Sequence, residues 1–227
     1  MIFRTPRRVG GMQWLIAAVG SWAAVVAASV AFGGGDGSTK NDGKGSPSPS
    51  ANVVRAASSA SAEQEGLRAF TDVASVLRHP RCLNCHPAGD VPRQTDARLP
   101  HFPPVTRGVD DRGAAGMRCT TCHQVENQLN GVPGAPGWSV APRTMAWEAL
   151  NDHDLAEQLK DPQRNGGRTL AQIVDHLNHE RLVLWAWQPG GHRATPPLTH
   201  DQFVKRFEDW IAAGAPSPAP EAKGITP

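Results

Sequence analysis

His79-Pro80-Arg81-Cys82-Leu83-Asn84-Cys85-His86 and, further on, Arg118-Cys119-Thr120-Thr121-Cys122-His123 hold two copies of C-x-x-C-H whose first cysteines lie 37 residues apart. Together they use all four cysteines of the chain, so no pair is left for a structural disulfide. The spacing has a chemical reading. Two residues between the cysteines let both sulfurs reach one edge of a porphyrin and form thioethers with its vinyl groups, while the histidine that follows folds beneath the ring and ligates the iron. On this reading Cys82 and Cys85 attach a first haem c with His86 on its iron, and Cys119 and Cys122 attach a second with His123. Two other readings use the same letters. Cys82, Cys85, Cys119 and Cys122 could hold a structural zinc as four thiolates, or one C-x-x-C could be a thioredoxin-like pair, which needs a βαβ setting that this sequence does not present.

The N-terminus bears on the compartment. Arg4, Arg7 and Arg8 precede an uncharged run, Met12 to Phe32, rich in Ala and Val, and Ser29-Val30-Ala31 ends it with small residues. Residues 1–31 are therefore expected to be a signal peptide cleaved after Ala31, with an uncleaved inner-membrane anchor as the alternative. Either outcome puts the rest of the chain in the periplasm, where haem is attached covalently. Loss of the three arginines takes the formal charge from +2 to −1, which gives no reason to expect nucleic acid or an anionic membrane surface as a partner. Tyr is absent and aromatics make up 6% of residues, so the haems are expected to supply much of the apolar core.

Between the leader and the first motif, residues 32–62 are Gly-, Ser- and Pro-rich and read as a disordered linker. A helix is expected from about Ser61, with Gln64 as capping-box partner and Leu67, Phe70, Val73, Val76 and Leu77 as its apolar stripe. It would cover one face of the first haem and deliver Cys82. Seven arginines and no lysine lie between Arg78 and Arg118. The guanidinium fork suits carboxylates, so Arg81 and Arg118 are the first candidates to clamp haem propionates. Further helices are predicted from Asp152 to Lys160, after a Thr169 cap, and from a Thr199–Gln202 capping box to Gly214. Leu182-Val183-Leu184-Trp185-Ala186-Trp187 reads as a brief strand or extended segment. The fold class is mostly α, a small irregular haem-cored domain over 63–218 with long Pro/Gly-rich loops, followed by a loose tail over 219–227.

Function turns on the far side of each iron, since a filled sixth position suits electron transfer and an open one permits binding of a small molecule. His101, held between Pro100 and Phe102-Pro103, is the first candidate for a distal ligand. His176, Met145 and His79 follow. Met117, His153, His192 and His200 are weaker by position.

These residues also carry a resemblance. His79 to Asp90, Pro100-His101, Arg107-Gly108, Arg118 to Gln124, Pro133 to Trp138, Lys160-Asp161-Pro162 and Leu184 to Trp187 resemble small proteobacterial dihaem c-type cytochromes, often labelled isoquinoline 1-oxidoreductase subunit, over about Val76 to Pro218. The resemblance implies a periplasmic dihaem cytochrome c with His86 and His123 as proximal ligands. It also implies a lost disulfide, because relatives tend to carry cysteines where this chain has Ala156 and Ser217. The expected function is electron transfer by a monomer between redox proteins such as a dehydrogenase and a terminal reductase. The alternative is a small dihaem enzyme or sensor with one open iron, peroxidase-like.

Overall fold

Helix α1, Pro49–Leu77, is the longest element of the computed structural model, which describes residues 49–221. Its buried side chains Ala69, Phe70, Val73, Ala74, Val76 and Leu77 recur every three or four residues. They make the stripe along which α1 packs on the last helix, α7 (His200–Ala212), through Phe203, Val204, Phe207 and Trp210. The chain just past the end of α7 closes on α1 at Gly66. A Cβ there would lie 2.6 Å from the Ala213 Cβ and 2.7 Å from the Pro216 Cγ. Gly66→Val is therefore expected to destabilise the protein by about 1–3 kcal/mol, the usual cost of forcing extra methyl groups into a packed contact, and thermal unfolding would measure it. Arg206 on α7 pairs with Asp72 at 2.7 Å and Glu65 at 3.1 Å, flanking the same seam.

The core is completed by α4 (Asp152–Lys160) and α5 (Leu170–His179), which contribute Leu155, Ala156, Leu159, Ile173 and Leu177, together with Leu83 and Trp147. Local signals fix these helices where the sequence predicts them. Asn151 caps α4, and Thr169–Gln172 and Thr199–Gln202 form full capping boxes on α5 and α7. The chain after α7 returns to α4. Trp210 Nε1 donates to Pro216 O at 2.8 Å, His153 Nδ1 to Pro218 O at 2.8 Å, and Lys160 Nζ to Ser217 Oγ at 2.7 Å, while the Ser217 hydroxyl donates to Glu157. A polar cluster thus stands at Ser217.

Two expectations change. α1 begins at Pro49 rather than near Ser61, so the second half of the segment read as a linker is helical, with Val53, Arg55 and residues 57–65 exposed. Alanine-rich sequence has high intrinsic helix propensity, which carries the helix outward without burial. Leu182–Trp187 is not extended. Arg181–Leu184 forms a helical turn, α6, capped by the Glu180 side chain, and Trp185–Trp187 continues it as a 3₁₀ turn. The leader, residues 32–48 of the linker and the end of the tail lie outside the described residues. Among the described residues no helix is long and apolar enough to cross a membrane. The fold is mostly α.

The middle of the chain, 84–151, is mostly irregular and is held largely by polar contacts, with Trp147 reaching the hydrophobic core. Two antiparallel two-residue ribbons interrupt it, β1 (Arg93–Gln94) with β2 (Leu99–Pro100), and β3 (Gly113–Ala114) with β4 (Met117–Arg118). Arg107, 6% exposed at its side chain, donates to Asp111 Oδ1 at 2.7 Å, Ala141 O at 2.7 Å and Gly89 O at 3.0 Å, joining three loops at one guanidinium. Glu148 does the same from the acid side, accepting from Arg98 Nη2 at 2.7 Å and Ala88 N at 2.9 Å and pairing with Arg93.

Candidate functional site

Both C-x-x-C-H motifs are built as a single helical turn. The first lies on α2 (Pro80–Leu83), with Pro80 at the favoured first helical position and His79 as N-cap, its Nδ1 accepting from Arg81 N at 3.2 Å. The backbone turns on through Cys85 N to Cys82 O at 3.1 Å and His86 N to Cys82 O at 3.2 Å. The second lies on α3 (Cys119–Cys122), closed by His123 N to Cys119 O at 2.9 Å. One turn presents both thiols together and leaves the following histidine at its end. All four cysteines are free thiols. Burial raises Cys82 to about 12 and Cys85 to about 11, so these groups are protonated and inert on their own.

The two motif histidines share one environment. His86 Nδ1 lies 2.7 Å from Met145 O and His123 Nδ1 lies 2.7 Å from Pro133 O. A carbonyl oxygen only accepts, so each Nδ1 carries the proton and each Nε2 keeps a lone pair. That is the tautomer a metal-bound imidazole needs, and a backbone carbonyl is its usual orienting partner. A tryptophan fixes each ring. Trp147 stacks on His86 with centroids 3.4 Å apart and planes 9° apart, and Trp138 stacks on His123 at 4.4 Å and 3°. Burial pushes His86 down to about 4, with the charges of His176 and Arg107 adding to the effect against the Met145 carbonyl. His123 is depressed too, by burial first, and by the charges of His101 and Arg193. Both are held as neutral imidazoles.

Cys119, Cys122 and His123 line a cavity of about 720 Å³ that Cys85 also reaches. On its other walls stand His101, Phe102 and Met117. The His101 ring centre lies 5.9 Å from that of His123. Two imidazoles on one metal, each bonded at about 2 Å, would place their ring centres about 6 Å apart. His101 Nδ1 donates to Pro103 O at 2.9 Å, so its Nε2 lone pair is free as well. His176 is half-buried, close enough to His86 for its charge to bear on that ring, and it has no hydrogen-bond partner among the described residues.

The other candidate ligands are used elsewhere. His79 accepts through Nδ1 from Arg81 N at 3.2 Å in the α2 cap, which leaves its proton on Nε2 in that arrangement. Met145 serves through its backbone carbonyl, which places the residue on the His86 side, and its sulfur packs toward Gly166. His153 and His200 hold backbone carbonyls at Pro218 and Leu177. Arg118 is engaged by Asp110 at 2.8 and 2.6 Å, which also pulls Asp110 down to about 2. Among the described residues no three His, Cys, Asp or Glu side chains gather as a metal-binding group, so the four thiols do not converge as a zinc site. The only strands there are the two short antiparallel ribbons, which provide no βαβ unit for a thioredoxin-like pair.

No family model, curated protein or solved structure matches this chain. The site therefore rests on its own chemistry: at each motif paired thiols and an imidazole of the tautomer that a haem iron would take, and at the second motif a further imidazole, His101, with its ring centre 5.9 Å from that of His123. Sequence reasoning missed Trp138 and Trp147 as ring stacks, the carbonyls of Met145 and Pro133, and Arg193. The tryptophans lie within a few residues of those carbonyls, and a Trp close to a backbone bend rich in Pro and Gly was the only signal available.

Proposed function

We propose that this chain is a dihaem c-type cytochrome that carries electrons between redox proteins in the periplasm. Cys82 and Cys85 would attach one haem with His86 and His176 on its iron, and Cys119 and Cys122 the other with His123 and His101. The observation that carries this reading is the repeated setting of His86 and His123, each on a C-x-x-C turn, each donating through Nδ1 to a carbonyl, each stacked on a tryptophan. Bound haem supplies one-electron chemistry at iron. The protein's part would be to keep His86 and His123 neutral and oriented, to supply His176 and His101 as further ligands, and to exclude water with Trp138, Trp147 and the loops around them. Cys85 and Cys119 face one cavity, so the two groups would lie side by side and exchange electrons without a partner between them. Redox partners would be a dehydrogenase on one side and a terminal reductase on the other. Contact with the membrane would depend on whether the N-terminal segment is cleaved.

The protein made in a host competent for haem attachment is expected to carry two covalent haems per chain by mass and by its alkaline pyridine spectrum. Its dithionite-reduced absorption spectrum is expected to be unchanged by carbon monoxide. Absence of covalent haem would overturn the cofactor, and a spectral shift in the gas would move the assignment to an enzyme or sensor with an open iron.

A further inference from the structure

The cavity beside the second motif has an unbalanced charge. Four arginines line it, Arg81, Arg93, Arg118 and Arg193, against one acid, Asp96. Three of the four have a carboxylate partner: Arg81 has Asp96, Arg93 has Glu148, and Arg118 has Asp110. Arg193 has none among the described residues. Its Nη1 donates to the carbonyls of Pro189 at 3.0 Å and Gly190 at 3.2 Å, its Nη2 donates to the carbonyl of Gly131, and its Nε has no partner. Carbonyl oxygens aim a guanidinium without neutralising it. Asp96 is already shared, since it also accepts from Ala194 N at 3.1 Å. The Arg81 side chain is 3% exposed and its Nε–H has no acceptor, although buried donors are nearly always paired. The charge of Arg193 also weighs against that of Arg81. Two buried or half-buried cations with one carboxylate between them and an orphaned N–H donor describe a wall that lacks an anion.

On the reading proposed above, the anion comes with the cofactor. A porphyrin attached through its vinyl groups carries its two propionates on the opposite edge. The residue next to the attaching cysteines, Arg118, is therefore at the wrong edge, whereas Arg81 and Arg193 reach the cavity from other parts of the chain. We propose that Arg193, with Arg81 behind it, binds a propionate of the haem attached at Cys119 and Cys122 and so raises the reduction potential of that haem. The positive charge offsets the propionate and favours the reduced iron.

The test is spectroelectrochemical titration of the full-length holoprotein with R193Q and R193K. R193Q is expected to load two haems and to lower the potential of the haem held by His123, leaving the other unchanged. R193K, which keeps the charge but not the carbonyl clamp, is expected to stay close to wild type. Unchanged potentials in R193Q would overturn the proposal, and an equal fall in both variants would reduce Arg193 to a structural staple of the 189–194 loop. Should R193Q fail to take up haem, R193K decides: recovery of haem and of the wild-type potential supports the assignment, and failure to load overturns it. Failure of the dihaem reading itself would be seen earlier and separately, as a wild-type protein without covalent haem.

Discussion

If the chain is the dihaem cytochrome proposed above, replacing His101 with alanine is expected to create a carbon monoxide site where the wild-type protein would have none, at one of the two haems and so in about half of the haem spectrum. The loop that carries His101 is fixed from both ends, by His101 N to Pro92 O at 3.0 Å and by Nδ1 to Pro103 O at 2.9 Å. The ring is therefore held 5.9 Å from His123 before any iron is bound. Little distal reorganisation is needed; His192 lines the same cavity but is exposed, and no ring contact joins it to His123. Because His101 is only half-buried and outside the helical core, its removal is expected to leave the fold intact. Met117 lines the same cavity and could take the vacated position, so the His101→Ala, Met117→Leu double variant completes the measurement. Carbon monoxide binding in the double variant alone would mean that Met117 substitutes, and no binding in either would rule His101 out as a ligand. His176→Ala is expected to open the haem at His86 in the same way.

What the sequence could and could not reveal divides along a physical line. Helices α4, α5 and α7 were legible because their ends are set by neighbouring residues: Asn151, Thr169 with Gln172, Thr199 with Gln202, Pro162 and Gly214. Leu182–Trp187 was not, since a six-residue apolar run has no usable period and reads equally as strand or helix. Glu180, whose side chain accepts from Leu182 N at 3.3 Å, was the local sign of the turn. The extension of α1 to Pro49 was hidden by Ser- and Ala-rich composition, which fits a linker as well as an exposed helix. In the candidate site, the cysteines and the histidines that follow them stand out in the sequence because C-x-x-C-H is a contiguous pattern. Their supports do not. Met145 reaches His86 across 59 residues through a backbone carbonyl, and a carbonyl leaves no trace in the identity of the residue that offers it. For the same reason the contact that Met145 makes through its backbone oxygen could not be read from its sulfur. The partner of Arg118, Asp110, lies only eight residues away, yet nothing in the sequence singled that pair out.

The largest stability effect is expected far from either motif, at Trp210. This side chain is 0% exposed, packs against Phe70 of α1 at 5.1 Å and Phe207 at 5.3 Å between ring centres, and donates from Nε1 to Pro216 O at 2.8 Å. Trp210→Ala removes the apolar contact and leaves a cavity, a loss of about 3–5 kcal/mol for a buried tryptophan. It also strands the Pro216 carbonyl, loosening the segment that Ser217 and Pro218 pin to α4. Against a total stability of about 5–15 kcal/mol, that loss brings the domain close to its unfolding threshold. Trp210→Phe keeps most of the ring volume and gives up the hydrogen bond, so it is expected to cost roughly 1–2 kcal/mol. The site feels the change because α1 ends at Leu77, three residues before α2, and Leu77 and Leu83 belong to the same core as Trp210. Denaturant unfolding followed by far-ultraviolet circular dichroism measures the stability, and the haem Soret band reports the distal ligands alongside it. On the dihaem reading, both transitions are expected to move to lower denaturant together in Trp210→Ala, since a covalently held haem would stay on the unfolded chain while its distal histidine would be lost with the fold. A midpoint within about 1 kcal/mol of wild type would show that the α1–α7 seam does not hold the first motif in place.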